Sequence, residues 1–211
     1  MQVKLSPKSI DTAKQLPVME HFYTIQGEGF HQGKAAYFIR LAGCDVGCTW
    51  CDVKESWDAA EHPLIDLNDL KEIIEKIPAE IVVITGGEPL MYDLTHLTKM
   101  LKDCGKKTHI ETSGAYPLSG VWDWICVSPK RFKKPLDECL KAAHELKTII
   151  VRENDFRFAE KHAALVNEHC KLYLQPEWSI ENKILPSIIS FVKENPKFEI
   201  SLQTHKYIDV P

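Results

Sequence analysis

The apolar positions of this chain switch repeatedly between the period of a β-strand and that of an α-helix. Residues 81–84 are continuously apolar, as expected of a strand that is buried on both faces. In residues 67–77, apolar side chains recur at i, i+3, i+4 and i+7, which predicts a helix with Asp66 as its N-cap. Similar patterns predict the other strands at 36–41, 108–111, 124–127, 146–151, 171–175 and 198–204, and the other helices at 93–103, 137–144, 155–166 and 182–194.

This repeated βα order predicts an α/β fold with a mainly parallel sheet. The sheet could be an open doubly wound sheet or a barrel. A complete eightfold βα barrel typically needs about 250 residues, whereas this chain has 211. A barrel would therefore be incomplete. No internal repeat, low-complexity tract or flexible linker divides the chain, so we expect a single domain over residues 1–211.

Charge and hydropathy exclude several classes of protein. A net charge of -4 gives no basic footprint for nucleic acid. No run of about 18 apolar residues indicates a membrane span. The first eight residues lack the apolar stretch of a signal peptide, so we expect a cytoplasmic protein. The seven cysteines are an odd number, and in a reducing compartment they need not form disulfides.

Three of the cysteines, Cys44, Cys48 and Cys51, lie within eight residues that follow the first predicted strand. Thiolates are soft ligands, so three at this spacing can bind one metal centre without help from distant residues. A structural zinc site needs four protein ligands, whereas a cubane iron-sulfur cluster held by three thiolates leaves one iron open to a small molecule. The count of three favours a chemical role.

Polar or glycine-containing motifs follow five of the predicted strands. In parallel α/β folds, ligands bind beyond the carboxyl ends of the strands, so we expect these motifs to meet at one site. The pair of glycines at 86–87 has an alternative interpretation as an ordinary turn that needs permissive backbone. The motifs are Cys44 and its loop, residues 85–89 (Thr-Gly-Gly-Glu-Pro), 111–114 (Glu-Thr-Ser-Gly), 128–130 (Ser-Pro-Lys) and 175–177 (Gln-Pro-Glu).

The cysteine spacing Cys-x-x-x-Cys-x-x-Cys, with Trp50 before the third cysteine, resembles the signature of the radical S-adenosylmethionine enzymes. Residues 86–89 resemble the second motif of those enzymes, which receives the methionyl amine. Three more segments narrow the resemblance to the 7-carboxy-7-deazaguanine synthase family, and it runs from about residue 18 to residue 211. These segments are 22–29 (Phe-Tyr-Thr-Ile-Gln-Gly-Glu-Gly), 124–130 (Trp-Ile-Cys-Val-Ser-Pro-Lys) and 203–206 (Gln-Thr-His-Lys) with the final Pro211.

This resemblance implies a partial βα barrel and a radical reaction. In that family a 4Fe-4S cluster, reduced by one electron, cleaves S-adenosylmethionine to a 5'-deoxyadenosyl radical, which takes a hydrogen atom from 6-carboxy-5,6,7,8-tetrahydropterin. Ring contraction with loss of ammonia then yields 7-carboxy-7-deazaguanine, a precursor of queuosine and related modified bases. The cofactors supply the radical chemistry, while the protein orients the partners and excludes water and oxygen.

The resemblance also implies roles for individual residues. Cys44, Cys48 and Cys51 would hold three irons, and S-adenosylmethionine would take the fourth. Arg40 suits the substrate carboxylate because its guanidinium is a planar fork. The positions that match cofactor contacts are Trp50, Cys51, Asp52, Gly87, Ser128, Pro129, Lys130, Gln175, Pro176, Glu177 and Trp178. The positions that match substrate contacts are Ile25, Gln26, Gly27, Arg40, Thr85 and the carboxylate of Pro211, with Glu111 as an additional partner for ring N-H groups.

One position departs from the family pattern. The family commonly has threonine directly after Cys-Asp, where its hydroxyl helps to hold a magnesium ion, but this chain has Val53. Mg2+ would then rely on Asp52, on backbone or substrate oxygens, or on the waters that it normally retains. The resemblance further implies a homodimer and an electron donor such as flavodoxin or ferredoxin.

Two other functions remain as alternatives. A glycyl-radical-type activase shares the cysteine spacing but acts on a protein, and the Gln-Gly-Glu-Gly and Gln-Thr-His-Lys segments argue against it. The second alternative is a non-enzymatic zinc-binding module in which the metal only stabilises a loop. Its fourth ligand would be His21, His31 or Asp45.

Overall fold

A computed structural model describes residues 10–211. The first eight residues, for which the sequence predicts no signal peptide, lie outside the described residues. Within 10–211, the strands are β1 (Gln15–Ile25), β2 (Ala35–Leu41), β3 (Leu64–Asp66), β4 (Ile81–Gly86), β5 (Lys107–Thr112), β6 (Trp124–Val127), β7 (Glu145–Ile150), β8 (Lys171–Pro176) and β9 (Phe198–Ile200). The helices are α1 (Leu67–Ile74), α2 (Thr95–Asp103), α3 (Asp137–Ala142), α4 (Asn154–Ala163), α5 (Glu181–Glu194) and α6 (Thr204–Tyr207).

All nine strands belong to one sheet, in the order β3-β1-β2-β4-β5-β6-β7-β8-β9. From β2 to β9, neighbouring strands are parallel and advance in chain order without a reversal. A doubly wound sheet reverses its strand order at a switch point, so that alternative is wrong. Because βαβ crossovers are right-handed, a strand order that advances in one direction keeps the helices on one face. The sheet has two separate edges, β3 and β9, and the partial barrel is confirmed.

Side chains alternate between the two faces of each strand. On β2, Tyr37, Ile39 and Leu41 belong to the main hydrophobic core beneath the helices. The intervening Phe38 packs with Val83 in a separate cluster on the inner face. β4 also contributes to both of these clusters, so both of its faces are covered. This agrees with its continuously apolar sequence. At the other end of the sheet, a further cluster joins α4 and α5 to β7, β8 and β9.

Helix α1 agrees with its predicted start and differs at its end. The Asp66 carboxylate accepts a hydrogen bond from Asn68 N, so it is the N-cap. The helix ends at Ile74 rather than at 77, and the chain continues in i to i+3 turns. The reason lies in Pro78, whose ring disfavours helical backbone at the preceding residue.

Helix α2 begins two residues later than predicted, and the cause is again a side chain. The Asp93 carboxylate accepts hydrogen bonds from the backbone N (2.9 Å) and Oγ1 (2.6 Å) of Thr95. Such local bonds compete with helical backbone at the aspartate itself.

None of the helices in the described part of the chain is long and apolar enough to cross a membrane.

The predicted strand at 198–204 is wrong in its second half. β9 pairs with β8 only over Phe198–Ile200, and α6 begins at Thr204. The backbone N and Oγ1 of Thr204 both donate to the Gly27 carbonyl at 2.9 Å. This distant contact turns the chain across the barrel. Periodicity in the sequence carries no signal for it.

Two strands were not predicted at all. β1 pairs antiparallel with β2 on one side and with β3 on the other. The register of β1 against β2 shifts between Val18 and Glu20, which indicates a bulge. The antiparallel pair extends the parallel sheet and places the end of β1 at the rim of the barrel, next to residues 26–29.

Candidate active site

A cavity of about 250 Å3 opens beyond the carboxyl ends of the parallel strands. All five strand-end motifs contribute to its wall, so the expectation that they meet at one site is confirmed. Pro129 is buried outside this wall. The other predicted residues line the cavity: Ile25, Gln26, Gly27, Arg40, Cys44, Cys48, Trp50, Cys51, Asp52, Thr85, Gly87, Glu111, Ser128, Lys130, Gln175, Pro176, Glu177, Trp178 and Pro211.

The loop that carries the three cysteines, residues 43–53, is anchored by its backbone. Gly43 N donates to the Ser56 carbonyl (2.6 Å), and Cys44 N donates to the Trp57 carbonyl (3.1 Å). The Asp45 carboxylate contacts the Lys133 ammonium at 2.8 Å. This ion pair ties the loop to the segment between β6 and α3. The contacts leave the thiols free for ligands.

The three thiols suit an iron-sulfur cluster better than a zinc ion. Cys44, Cys48 and Cys51 are all free, and burial raises the pKa of Cys44 and Cys48, so both must lose protons on binding metal. Within residues 10–211, no three His, Cys, Asp or Glu side chains converge on a point where one metal ion could sit. In a cubane each thiolate binds a different iron, so such convergence is not needed.

None of the residues suggested as a fourth zinc ligand is free to join the thiols. His21 contacts Tyr37, which belongs to the main core beneath the helices, on the face of the sheet away from the cavity. Asp45 is paired with Lys133. His31 packs against His109, with 4.5 Å between ring centroids, in the interior below the cavity. The geometry therefore disfavours the zinc-binding module.

The two glycines at 86–87 are required by close packing. A Cβ on Gly86 would overlap the backbone of Leu41, and a Cβ on Gly87 would overlap the Gly43 carbonyl oxygen. Gly87 N also donates to the Leu41 carbonyl at 2.9 Å. The end of β4 thus lies directly against the start of the cysteine loop. The turn interpretation is incomplete, because these glycines also position the cysteines.

Glu88, which follows the glycines, is a structural brace. Its side chain is almost fully buried and accepts hydrogen bonds from Leu90 N (3.1 Å), Thr112 Oγ1 (2.5 Å), Ser113 N (2.8 Å) and Ser113 Oγ. Both carboxylate oxygens are therefore engaged within the protein. Glu88 joins the end of β4 to the end of β5, which leaves the backbone of the Gly-Gly pair as the part that faces the cavity.

At two places along the cavity, an aromatic ring and a lysine lie together. Lys130 Nζ donates to Ser128 Oγ (2.5 Å) and lies 5.4 Å from the centre of the Trp50 ring. Burial lowers the pKa of Lys130. The Trp178 ring is partly exposed, and Lys206 Nζ lies 4.9 Å from its centre. These groups can stack on a flat ring and hold a polar group beside it.

The floor segment, residues 26–29, closes the bottom of the cavity. Gln203 Nε2 donates to Glu28 Oε1 at 2.8 Å, and the His205 ring occupies the space that a Cβ on Gly27 would take. Two of the motifs that carry the family resemblance, Gln-Gly-Glu-Gly and Gln-Thr-His-Lys, are therefore in direct contact. This contact docks the C-terminal segment on the floor of the cavity.

Beneath the floor segment, Lys147 on β7 forms ion pairs with Glu28 and with Glu111 (3.2 Å). Burial alone would raise the pKa of Glu28, but the Lys147 charge and the hydrogen bonds from Lys147 and Gln203 outweigh it and lower the pKa to about 2. Burial alone would lower the pKa of Lys147, and the charges of Glu111 and Glu28 raise it well above its usual value. The Glu28 carboxylate and the Lys147 ammonium thus favour each other's charged form.

The predicted substrate contacts lie around this floor. Arg40 Nε donates to Glu20 Oε1 at 2.6 Å, which holds the guanidinium against β1. Thr85 is the parallel-sheet neighbour of Arg40 on β4. The Pro211 carbonyl oxygen accepts a hydrogen bond from Thr24 Oγ1 at 3.0 Å. Arg40 on β2 and the carboxylates of Glu28 and Glu111 thus line different parts of one cavity.

Several lining residues escaped the sequence analysis, notably Glu28, Lys147 and His205. Glu28 and His205 belong to the motifs at 22–29 and 203–206 that carry the family resemblance, so these motifs could have indicated them. Lys147 had a weaker signal, since it is a charged residue in the otherwise apolar run Leu-Lys-Thr-Ile-Ile. A buried lysine there implies distant carboxylates. The chain alone does not say which ones.

The partial barrel and the three-cysteine loop at its carboxyl rim define a radical S-adenosylmethionine enzyme. The family model described as Radical SAM superfamily matches residues 38–126. The 7-carboxy-7-deazaguanine synthase of Flavobacterium psychrophilum is 54% identical over 203 residues, which are 96% of this chain and 96% of that protein. The chain belongs to the 7-carboxy-7-deazaguanine synthase family.

Other relatives agree with this membership. The 7-carboxy-7-deazaguanine synthase of Synechocystis is 46% identical, over 92% of this chain and 93% of its own. The crystal structure of QueE from Escherichia coli superposes with a TM-score of 0.81 at 32% identity, and the match covers 90% of this chain and 94% of that one. These relatives favour the deazaguanine reaction over a glycyl-radical-type activase.

Proposed function

We propose that this protein converts 6-carboxy-5,6,7,8-tetrahydropterin into 7-carboxy-7-deazaguanine with loss of ammonia, as a step toward queuosine or a related deazapurine, and that residues 1–211 act as a single domain. The observation that carries the proposal is that the cysteine loop and the floor segment line one cavity. The first is the feature of a radical S-adenosylmethionine enzyme, and the second contains the motif that resembles this particular family.

In this proposal, Cys44, Cys48 and Cys51 hold a 4Fe-4S cluster that also binds S-adenosylmethionine, and together these groups supply hydrogen-atom abstraction when they are bound. The backbone at Gly87 and further residues of the cavity orient S-adenosylmethionine and keep water away from it. The residues in this role are Trp50, Asp52, Ser128, Lys130, Gln175, Pro176, Glu177 and Trp178, with Pro129 shaping the strand end from behind.

The substrate is proposed to lie between Arg40 and the floor segment. Arg40 would bind the substrate carboxylate as a planar fork, and Thr85 lies beside it on the next strand. At the other end, Glu111 and the backbone of residues 25–27 would accept and donate hydrogen bonds to the pterin ring. The carboxylate of Pro211 is a further proposed partner, supported by its place in the lining of the cavity.

Magnesium is proposed as an additional cofactor, with Asp52 as its protein ligand. Asp52 is largely exposed and contacts Lys206 at 3.3 Å through Oδ2. Val53 offers no side-chain oxygen, so most of the coordination would come from water and substrate. Turnover should respond when Mg2+ is added back to metal-stripped buffer. No response would remove magnesium from the proposal.

An electron donor such as flavodoxin or ferredoxin is proposed to reduce the cluster, and the family resemblance supports a homodimer. A cytoplasmic location would keep the cysteines reduced. Reduction of the cluster by purified flavodoxin or ferredoxin, followed by its absorbance, tests the first proposal. A molar mass from light scattering tests the second, and a value near 24.1 kDa would contradict it.

The decisive experiment is anaerobic incubation of the reconstituted protein with S-adenosylmethionine, a reductant and 6-carboxy-5,6,7,8-tetrahydropterin. Mass analysis should detect 7-carboxy-7-deazaguanine together with deoxyadenosine. Omission of the pterin serves as the control, because any deoxyadenosine that still forms then measures uncoupled cleavage. Formation of deoxyadenosine without the deazaguanine product would contradict the proposed substrate.

A further inference from the structure

Lys147 stands out among the charged groups of the barrel interior because it is so deeply buried. Its side chain is only 4% exposed, and its ammonium contacts the carboxylates of Glu28 and Glu111. A buried ammonium is strongly unfavourable unless it is paired and hydrogen-bonded. Its two partners come from different parts of the chain, the floor segment and the end of β5. Lys147 therefore joins three segments at one point.

The carboxylate of Glu111 is held from two directions. Gln26 Nε2 donates to Oε1 at 3.0 Å, and Lys147 Nζ contacts Oε2 at 3.2 Å. Each carboxylate oxygen can accept two hydrogen bonds, so each keeps one position for another donor. The side chain is 23% exposed and lines the cavity. The two protein donors thus set the direction in which the remaining positions point.

The charges of this group do not cancel. Glu28 and Glu111 carry two negative charges and Lys147 one positive charge, which leaves a net negative charge under the cavity. Such a floor attracts N-H groups and repels a carboxylate. Arg40, on β2, lies two strands away from Glu111 in the sheet and offers the opposite charge.

We propose that Lys147 is a positioning residue for the substrate, which holds the Glu111 carboxylate so that it binds the N-H groups of the pterin ring. The inference rests on the proposed function and deepens it. Lys147 does not touch the reacting atoms in this role. It acts through Glu111 and, through Glu28, on the floor segment.

The test is a double-mutant cycle on substrate binding. Dissociation constants for 6-carboxy-5,6,7,8-tetrahydropterin are measured by anaerobic calorimetry on protein loaded with cluster and S-adenosylmethionine, without reductant. Lys147→Met should weaken binding about tenfold or more, because a charge-assisted hydrogen bond loses its anchor. Adding Lys147→Met to Glu111→Gln should cause little further loss, since the two residues act as a unit. Lys147→Arg should restore part of the affinity.

Lys107→Met provides a matched control. Lys107 also forms an ion pair, with Glu80 at 3.0 Å, but both side chains are exposed and lie outside the cavity lining. Its substrate affinity should equal that of the wild type. If Lys147→Met alone does not fold, the double variant Lys147→Met with Glu28→Gln takes its place in the test. It removes one charge of each sign, and the same loss of affinity is expected.

The outcomes separate the inference from the proposed function. If the wild type binds the pterin and folded Lys147 variants bind it equally well, Lys147 is only structural and the inference is overturned. Independent, additive losses in the cycle would overturn it too. If the wild type itself neither binds nor converts the pterin, the proposed function fails first.

Discussion

The cysteine loop and the floor segment are two walls of the same cavity, yet they are built in opposite ways. In the loop, three cysteines lie within eight residues, the backbone makes anchoring hydrogen bonds, and the thiols are left free. In the floor segment, the side chains of Gln26 and Glu28 form hydrogen bonds with partners that lie 85 and 175 positions away in the chain. A site that must receive a cofactor keeps its ligands unpaired. A site that must present one fixed charge pattern engages its groups in advance.

The sharpest way to break the comparison is to remove one ligand from the loop. Cys48→Ala should abolish deoxyadenosine formation and lower iron and sulfide content, while circular dichroism stays unchanged. The loss should exceed the roughly 10–100-fold cost of mutating groups that only support a metal ligand. Cys104→Ala, outside the cavity lining, is the control and should keep its iron. Retained deoxyadenosine formation by Cys48→Ala would overturn the cluster assignment.

A second prediction concerns how the loop is anchored. Gly87→Ala places a methyl group on the Gly43 carbonyl oxygen, so it should cost about 1–3 kcal/mol of stability and push the cysteine loop out of place. Iron content after reconstitution should fall with it. Gly105→Ala is the control, because Gly105 has φ 71° and open space around it, so it suffers only backbone strain of about 1–2 kcal/mol.

Both glycine variants should therefore lose stability of similar size, as measured by urea unfolding. Only Gly87→Ala should lose iron. Equal iron in the two variants would mean that close packing at the end of β4 does not position the cysteines.

The third prediction tests the rim next to the floor. A peptide tag added after Pro211, which lines the cavity, should raise the KM for the pterin about tenfold, equal to about 1.4 kcal/mol. The reason is that the tag displaces the carboxylate that we propose as a substrate contact. The same tag placed before Met1 should leave the KM unchanged. Equal values for the two tagged proteins would discard a role for the Pro211 carboxylate in binding.

The smallest expected effect on activity lies below the floor, at His109, which is outside the cavity lining. Burial is the main cause that lowers the pKa of His109 to about 3 from the ordinary value of 6.5. Between these values the unfolded chain binds a proton that the folded protein does not, so stability is present above pH 6.5 and is lost as the pH falls. The Glu28 carboxylate contributes in the same direction only below pH 4.5, since its pKa is lowered to about 2.

His109→Phe should therefore flatten the dependence of stability on pH between 6.5 and 4.5, by up to about 1.4 kcal/mol per pH unit. Urea unfolding at several pH values measures the slope. The phenyl ring keeps the contact with His31 and Trp124, so packing changes little. Identical slopes for variant and wild type would mean that His109 is not held neutral in the folded protein.

The elements that the sequence predicted well are those governed by neighbours in the chain. The buried strand at 81–84, the N-cap at Asp66 and the three-cysteine loop each depend on residues within a few positions of one another. Errors appear where distant contacts decide. The strand predicted at 198–204 gives way to α6 at Thr204 because its N-H and hydroxyl bind the Gly27 carbonyl.

The candidate site divides in the same manner. Nearly all of its predicted residues line the cavity. Many of them follow parallel strands, and a parallel sheet gathers those strand ends at one rim. Lys147 and its two carboxylate partners did not emerge as a group, since no local pattern links β7 to the floor segment. The sequence predicted the position of Glu88 at a strand end. It did not predict the role of Glu88, which depends on hydrogen-bond donors at the end of β5 and directly after it.

By itself, the sequence determined the repeated βα order of the parallel strands, the close spacing of three cysteines and the family that the motifs resemble, because each of these depends on short-range spacing. Only the tertiary structure decided that the sheet is a partial barrel rather than doubly wound, and that the charges of Glu28, Glu111 and Lys147 meet under the cavity. The physical reason is that burial and Coulomb pairing depend on distance in space. A chain folded into a parallel barrel brings together charges that lie far apart along it.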